Sequence, residues 1–186
     1  MTFDYDKARQ TMVETQVRPN DVTDQGLQSA MRAVPRESYC GANSHLAYAD
    51  AEVAYAPGCW LLRPRDVAKL LQALKPRAGQ RALAIAAPYA GAVLTHMGLA
   101  VDSATAAGTI AGPYDVIVCE GAVAQAPETW LAALAMGGRL GVIERKGAAG
   151  KAMVYLRGAD GIGSRVDFDC GAPMLAGVET SPVFSF

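Results

Sequence analysis

The chain has 186 residues, 51% of them hydrophobic, which suits one domain with a substantial core and excludes intrinsic disorder. Its 17 Lys and Arg nearly cancel its 18 Asp and Glu, so neither nucleic acid nor an acidic membrane surface is expected as a partner. No apolar run is long enough to span a bilayer, and the opening MTFDYDKARQ lacks a secretory apolar region, so a cytoplasmic protein is expected.

In chain order, residues 1–78 read as a helical lead-in and 79–186 as the sheet part of a single domain. DYDKARQTMVETQV has helical composition, predicting a helix over Asp6–Gln16, and stops at Arg18-Pro19-Asn20. Thr23 can cap the next helix, Asp24–Val34, with Val22 and Leu27 as a hydrophobic staple. Leu27, Ala30, Met31 and Val34 form one apolar face, and Pro35 ends it. Ser38–Gly58 lacks periodicity and reads as irregular loop. Pro64 suits a first helical turn, and Val67, Leu70, Leu71 and Leu74 again share a face, predicting a helix over Pro64–Leu74.

The centre of the chain is Gln80–Gly98. A buried strand, Ala82–Ala87, leads through a tight turn into an apolar helix, Ala90–Met97, stopped by Gly98. Strand, turn and helix open a nucleotide-binding α/β unit, in which the turn is usually glycine-rich so that a ligand can approach the helix N-terminus. Next come a short strand, Leu99–Val101, ending at Asp102, and a small featureless segment, Ser103–Gly112. A second buried strand is Tyr114–Cys119, followed by a helix over Pro127–Met136, a strand at Leu140–Ile143, and an edge hairpin from Ala152–Leu156 and Val166–Phe168.

Three stretches give the chain a family resemblance. Ala30-Met31-Arg32-Ala33-Val34-Pro35-Arg36-Glu37 with Ala47-Tyr48-Ala49-Asp50 resembles the AM..VPRE and AY.D signature of protein-L-isoaspartate O-methyltransferases. Pro113–Val118 with Gly121-Ala122-Val123 and Pro127 is similar to the family's fourth strand and following helix, and Gly137-Gly138-Arg139-Leu140 to the entry of its fifth. The resemblance implies an α/β fold: a Rossmann-like class I methyltransferase sheet with an N-terminal helical extension and a C-terminal antiparallel hairpin. It implies S-adenosylmethionine as cofactor and a protein carboxylate as substrate.

The departures fall on the chemistry. Where the family has a cofactor motif close to VLEIGTGSGY, this chain has Ala82 to Gly91. The acidic position is Ala84, the three glycine positions are Ala86, Pro88 and Ala90, and Ala87 and Tyr89 lie between them. A non-glycine residue forced to positive φ costs about 1–2 kcal/mol, and proline removes an N–H that would face a ligand. The family's substrate motif, close to TISxP, is Trp60-Leu61-Leu62-Arg63-Pro64 here, so Leu62 replaces the serine and Pro64 is retained. Ser103–Gly112 is too short for the two helices and strand expected there, so the sheet is shortened on the side of its second and third strands.

Single residues carry less. Asp102 stands where a ribose-binding carboxylate belongs, or caps a strand end. Glu120 either faces the family's cofactor pocket or, as the ordinary reading, is an exposed loop carboxylate, and KGAAGK at Lys146–Lys151 reads as a hairpin turn, since it lacks phosphate-loop spacing. Arg63, Arg65 and Lys69 read as a solvated helix face. The four cysteines are widely spaced and only two histidines, His45 and His96, occur, so no metal site or disulfide framework is expected. No catalytic group stands out.

Three functions stay open. The first is a pseudoenzyme that has lost S-adenosylmethionine, needs no cofactor, and acts as an interaction module through a protein partner or self-association. The second is an active methyltransferase using S-adenosylmethionine on isoaspartyl or other protein carboxylates. The third is a binder of another small ligand. For the first, the uncharged Ser103–Gly112 is expected either to leave a sheet edge bare for association or to fold back and bury it.

Overall fold

The computed structural model describes residues 4–178. Helix α1, Tyr5–Met12, runs into a π turn, Val13–Val17, and a 3-10 turn, Arg18–Asn20. Helix α2 spans Gln25–Ala33, and its cap is Asp24 rather than Thr23: the Asp24 carboxylate accepts from Leu27 N at 2.9 Å. Thr23 is held elsewhere, its N–H donating to Gln72 Oε1 of the third helix.

The stretch expected as irregular loop is ordered. Two 3-10 segments, Arg36–Tyr39 and Gly41–Leu46, precede a small hairpin of β1, Val53–Ala56, and β2, Cys59–Leu61. Its turn uses Gly58 at φ 67°, tight enough that a Cβ there would lie 2.3 Å from Ala176 Cβ. Local periodicity is weak here because the pairing partner and the packing surface are both distant in sequence.

Helix α3, Pro64–Leu74, forms as its apolar spacing predicts. The main sheet then builds from β3 (Arg81–Ile85), helix α4 (Pro88–His96), β4 (Ala100–Ala104), β5 (Tyr114–Val123), a short α5 (Glu128–Ala132), β6 (Leu134–Lys146), β7 (Ala149–Gly158) and β8 (Gly161–Asp169). The strand order is β4-β3-β5-β6-β7-β8, with the first four parallel and the last two antiparallel. Parallel strands buried on both faces explain the continuous apolar runs in β3 and β5.

Several boundaries differ from expectation: β3 ends at Ile85 rather than Ala87, and α4 starts at Pro88 rather than Ala90. The helix expected to reach Met136 stops at Ala132, because Leu134 pairs with Tyr114 and buries itself in the core. The strand expected to end before Asp102 continues to Ala104, pairing with β3 along its whole length.

The core divides across the sheet. One face packs against α1 to α4 through residues such as Met31, Leu70, Leu71, Ala84 and Val93. The other gathers Ile85, Ile117, Trp130, Leu140 and Leu175. Ala104, Ala106 and Ile110 pack against this second cluster, so the segment that replaces a crossover helix folds back over the sheet.

Candidate functional site

The site grows from the C-terminal ends of β3 and β5, where open parallel sheets place ligands. β3 ends at Ile85, and Ala86 turns the chain with φ 46°. This is the left-handed conformation that glycine adopts freely and alanine only under strain. Two hydrogen bonds hold it: Ala86 N donates to Ala104 O at 2.8 Å, and the Tyr55 hydroxyl of β1 donates to Ala86 O at 3.0 Å. The turn thus keeps its shape without its glycine.

Ala87 precedes α4 with no side-chain cap, and Pro88 occupies the first turn with no N–H to offer. The work of a cap falls to Glu120, from β5. Its Oε1 accepts from Ala90 N at 3.0 Å, and its Oε2 from Leu62 N at 2.8 Å. Glu120, expected as an exposed loop residue, is fully buried. Burial pushes its carboxyl up, while the Arg36 charge and the two amides pull it back. With both oxygens accepting from backbone N–H groups, the bonding favours the ionised form.

Arg36 completes the corner. It is fully buried, donating from Nη2 to Leu62 O at 2.6 Å and from Nε to Ala47 O at 2.8 Å. Its Cζ lies 4.8 Å from the ring centre of buried Tyr89. Both backbone polar groups of Leu62 are therefore held, one by Glu120 and one by Arg36, and the Leu62 side chain is buried. Pro64 opens α3 directly afterwards. Arg36 Nη1 and the Tyr89 hydroxyl are buried with no partner among the described residues.

Ala84 is buried beneath α4, where a Cβ added at Gly91 would meet Ala84 Cβ at 2.9 Å. This close approach leaves no room for the longer acidic side chain in that direction. Asp102 lies away from the corner. It sits mid-strand opposite Leu83, and its Oδ2 accepts from Arg81 Nη2 at 2.8 Å and the Tyr114 hydroxyl at 2.9 Å. Arg81 and Tyr114 are the first residues of β3 and β5, so this carboxylate serves the opposite end of the strands. Arg81 first, then Tyr114, holds it below the usual carboxylate range.

The structure therefore brings Leu62, Ala86, Ala87, Pro88, Tyr89 and Ala90 into one corner, with Pro64 at its rim and Ala84 below, and leaves Asp102 apart. The first-turn amide of α4 at Ala90 is already bonded, Pro88 supplies none, and the carboxylate at Asp102 faces Arg81. Sequence reasoning missed the roles of Arg36 and Tyr55, and expected Glu120 on an exposed loop, with the pocket as the alternative. The legible signal for Glu120 was a charged residue inside an otherwise apolar strand.

The remaining candidates are structural. Lys146–Lys151 forms the β6–β7 turn and its flanks. Arg63 pairs with Glu52 at 2.8 Å, Arg65 approaches Asp50 at 3.5 Å, and Lys69 lies over the Phe168 ring. Among the described residues no three His, Cys, Asp or Glu side chains converge as a metal site. A cleft of about 750 Å³ between α3 and the β7–β8 hairpin, lined by Lys75, Arg139 and Leu156, does not touch the corner.

No protein-family model matches the chain. Among curated proteins it is 33% identical to a protein-L-isoaspartate O-methyltransferase of Methylorubrum extorquens, over 94% of this chain and 91% of that one. It is 32% identical to the enzyme of the same name from Methylorubrum populi, over 93% of this chain and 97% of that one. Among solved structures, a protein-L-isoaspartate O-methyltransferase of Plasmodium falciparum in complex with S-adenosyl-L-homocysteine superposes with a TM-score of 0.75 at 16% identity, covering 91% of this chain and 98% of that one. A second structure of that enzyme name gives 0.71 at 17% identity, covering 91% of this chain and 66% of the other. At these identities the two structures speak for the fold alone.

Proposed function

The chain belongs to the protein-L-isoaspartate O-methyltransferase family, and from that premise we propose that it is a member whose cofactor site is closed from within. On this reading it is a pseudoenzyme: a cytoplasmic methyltransferase-like scaffold that does not bind S-adenosylmethionine and acts through a protein partner or self-association. Four unpaired cysteines fit a reducing compartment. No helix among the described residues is long and apolar enough to cross a membrane.

The observation that carries the reading is the Glu120 carboxylate on Ala90 N at the start of α4. A helix N-terminus attracts anionic ligand groups because its first amides are free. Here one is taken internally and Pro88 removes another. Each lost hydrogen bond to a charged or buried polar group is worth about 1–3 kcal/mol, so two or three together move a micromolar site to millimolar or weaker.

A second reading, an active methyltransferase on protein carboxylates, is favoured by the names of the curated relatives and by the left-handed turn kept at Ala86. Methyl transfer from a sulfonium rests on alignment more than on acid-base groups, so it survives changed side chains but not lost cofactor binding. Calorimetric titration of the pure protein with S-adenosylmethionine and S-adenosylhomocysteine decides between them. No heat of binding is expected, and a dissociation constant below about 100 μM overturns the pseudoenzyme reading.

A further inference from the structure

Resting on that reading, we infer that the corner between β5, α4 and the Leu62 segment is a carboxylate-binding site, and that Glu120 is its tethered ligand. Two N–H donors from segments distant in sequence, Leu62 and Ala90, converge on the two oxygens of one fully buried carboxylate. One of them lies in the first turn of α4, a nine-residue helix whose dipole favours negative charge there.

The third component is Arg36. It donates to the carbonyl of Leu62, whose N–H in turn donates to Glu120. Burial pushes the Glu120 carboxyl up and the Arg36 charge pulls it back, and Arg36 Nη1 is a buried donor with no partner among the described residues. Two amides on one carboxylate, with the Arg36 charge acting on it through space rather than by a direct bond, select an anion with two adjacent oxygens over a cation or a neutral amide.

Because the receptor is formed by backbone and by Arg36, it outlasts the side chain that fills it. Arg36 is fixed by Ala47 O and Leu62 O, and α4 is fixed by packing of Gly91 on Ala84. Glu120→Ala therefore leaves a cavity with Leu62 N and Ala90 N as free donors, sized for a small carboxylate such as acetate or formate.

The test is thermal unfolding of full-length wild type and Glu120→Ala in rising sodium acetate or sodium formate, against sodium chloride at matched ionic strength. The variant is expected to unfold at lower temperature than wild type. It recovers about 3–5 °C when the carboxylate reaches tenfold its dissociation constant, while chloride does not restore it and wild type does not respond. No carboxylate-specific recovery overturns the site. If Glu120→Ala does not fold in chloride, recovery of its circular dichroism in acetate or formate supports the proposal, and failure to recover overturns it. Glu120→Gln supplies an independent arm: its amide sets an N–H₂ against a backbone N–H, so it unfolds below wild type, and equal stability overturns the inference. Titration of wild type with S-adenosylmethionine is separate. Tight binding there removes the pseudoenzyme reading without touching the carboxylate recovery, and absent recovery with a silent wild type does the reverse.

Discussion

Glu120 on β5 and Asp102 on β4 are two carboxylates of one sheet, and they make opposite kinds of bond. Glu120 is fully buried and accepts from two backbone amides on separate segments. Asp102 is exposed on the edge strand β4 and accepts from two side chains, Arg81 and Tyr114. A buried acceptor that loses its place leaves donors stranded without water, whereas an exposed one is replaced by solvent at little cost. The contrast teaches that position on a strand says little about a carboxylate's importance until its burial is known.

The sharpest way to break this contrast is Glu120→Ala. It strands Leu62 N, Ala90 N and the Arg36 charge, and is expected to cost about 3–5 kcal/mol, as for other broken buried charged networks. Denaturant unfolding measures it, and a cost under about 1 kcal/mol, the scale of an ordinary exposed interaction, means the corner is wetter than its burial indicates.

Ala86→Gly probes the same corner with the opposite sign. It relieves the left-handed strain at φ 46° and is expected to stabilise the protein by about 1 kcal/mol. On the pseudoenzyme reading it leaves the protein silent to S-adenosylmethionine, because Glu120 and Pro88 remain. Restored calorimetric binding in this variant would locate the defect in the turn instead.

Asp66 extends the comparison to pH. It is buried in the first turn of α3, and burial raises its carboxyl above the ordinary 3.8, against Arg65, the Cys170 thiol bond and Arg63. Between 3.8 and the raised value the folded state holds a proton that the unfolded state has released. This contribution to stability is therefore greatest below 3.8 and is lost as pH rises through the folded value. Asp66→Asn is expected to flatten that fall in a series of unfolding curves from acid to neutral pH. An unchanged slope assigns the pH dependence to other groups, Glu120 first among them.

The smallest effect is expected from Asp102→Asn. Its partners reach water, so the unfolding midpoint should stay within about 2 °C of wild type, and less at high salt. A larger drop would mean that the Arg81–Asp102–Tyr114 cluster holds the β4 edge in place.

The self-association expectation is sharpened by the folded-back segment, since Ala104, Ala106 and Ile110 already bury the apolar face beside β4. Among the described residues, what stays open along β4 is the backbone edge, with Asp102 as a charge upon it. Light scattering across tens of micromolar, a range that exposes weak specific pairing, tests whether that edge still associates.

The sequence by itself determined the elements whose signal is local. α2, α3 and the strands β3 and β5 follow from periodicity, apolar runs, and Pro and Gly stops, because a helix face or a buried strand needs only neighbouring residues to declare itself. The resemblance at Ala30–Glu37 and the departures from its motif at Ala84, Ala86, Pro88 and Ala90 were equally legible, being matters of residue identity. Only the tertiary structure decided what fills the corner. Glu120 meets Leu62 across 58 positions and Ala90 across 30, and Arg36 meets Leu62 across 26. Such bonds leave no period in the chain. The same physics overruled the sequence at Leu134, where pairing with β5 outweighed helix propensity.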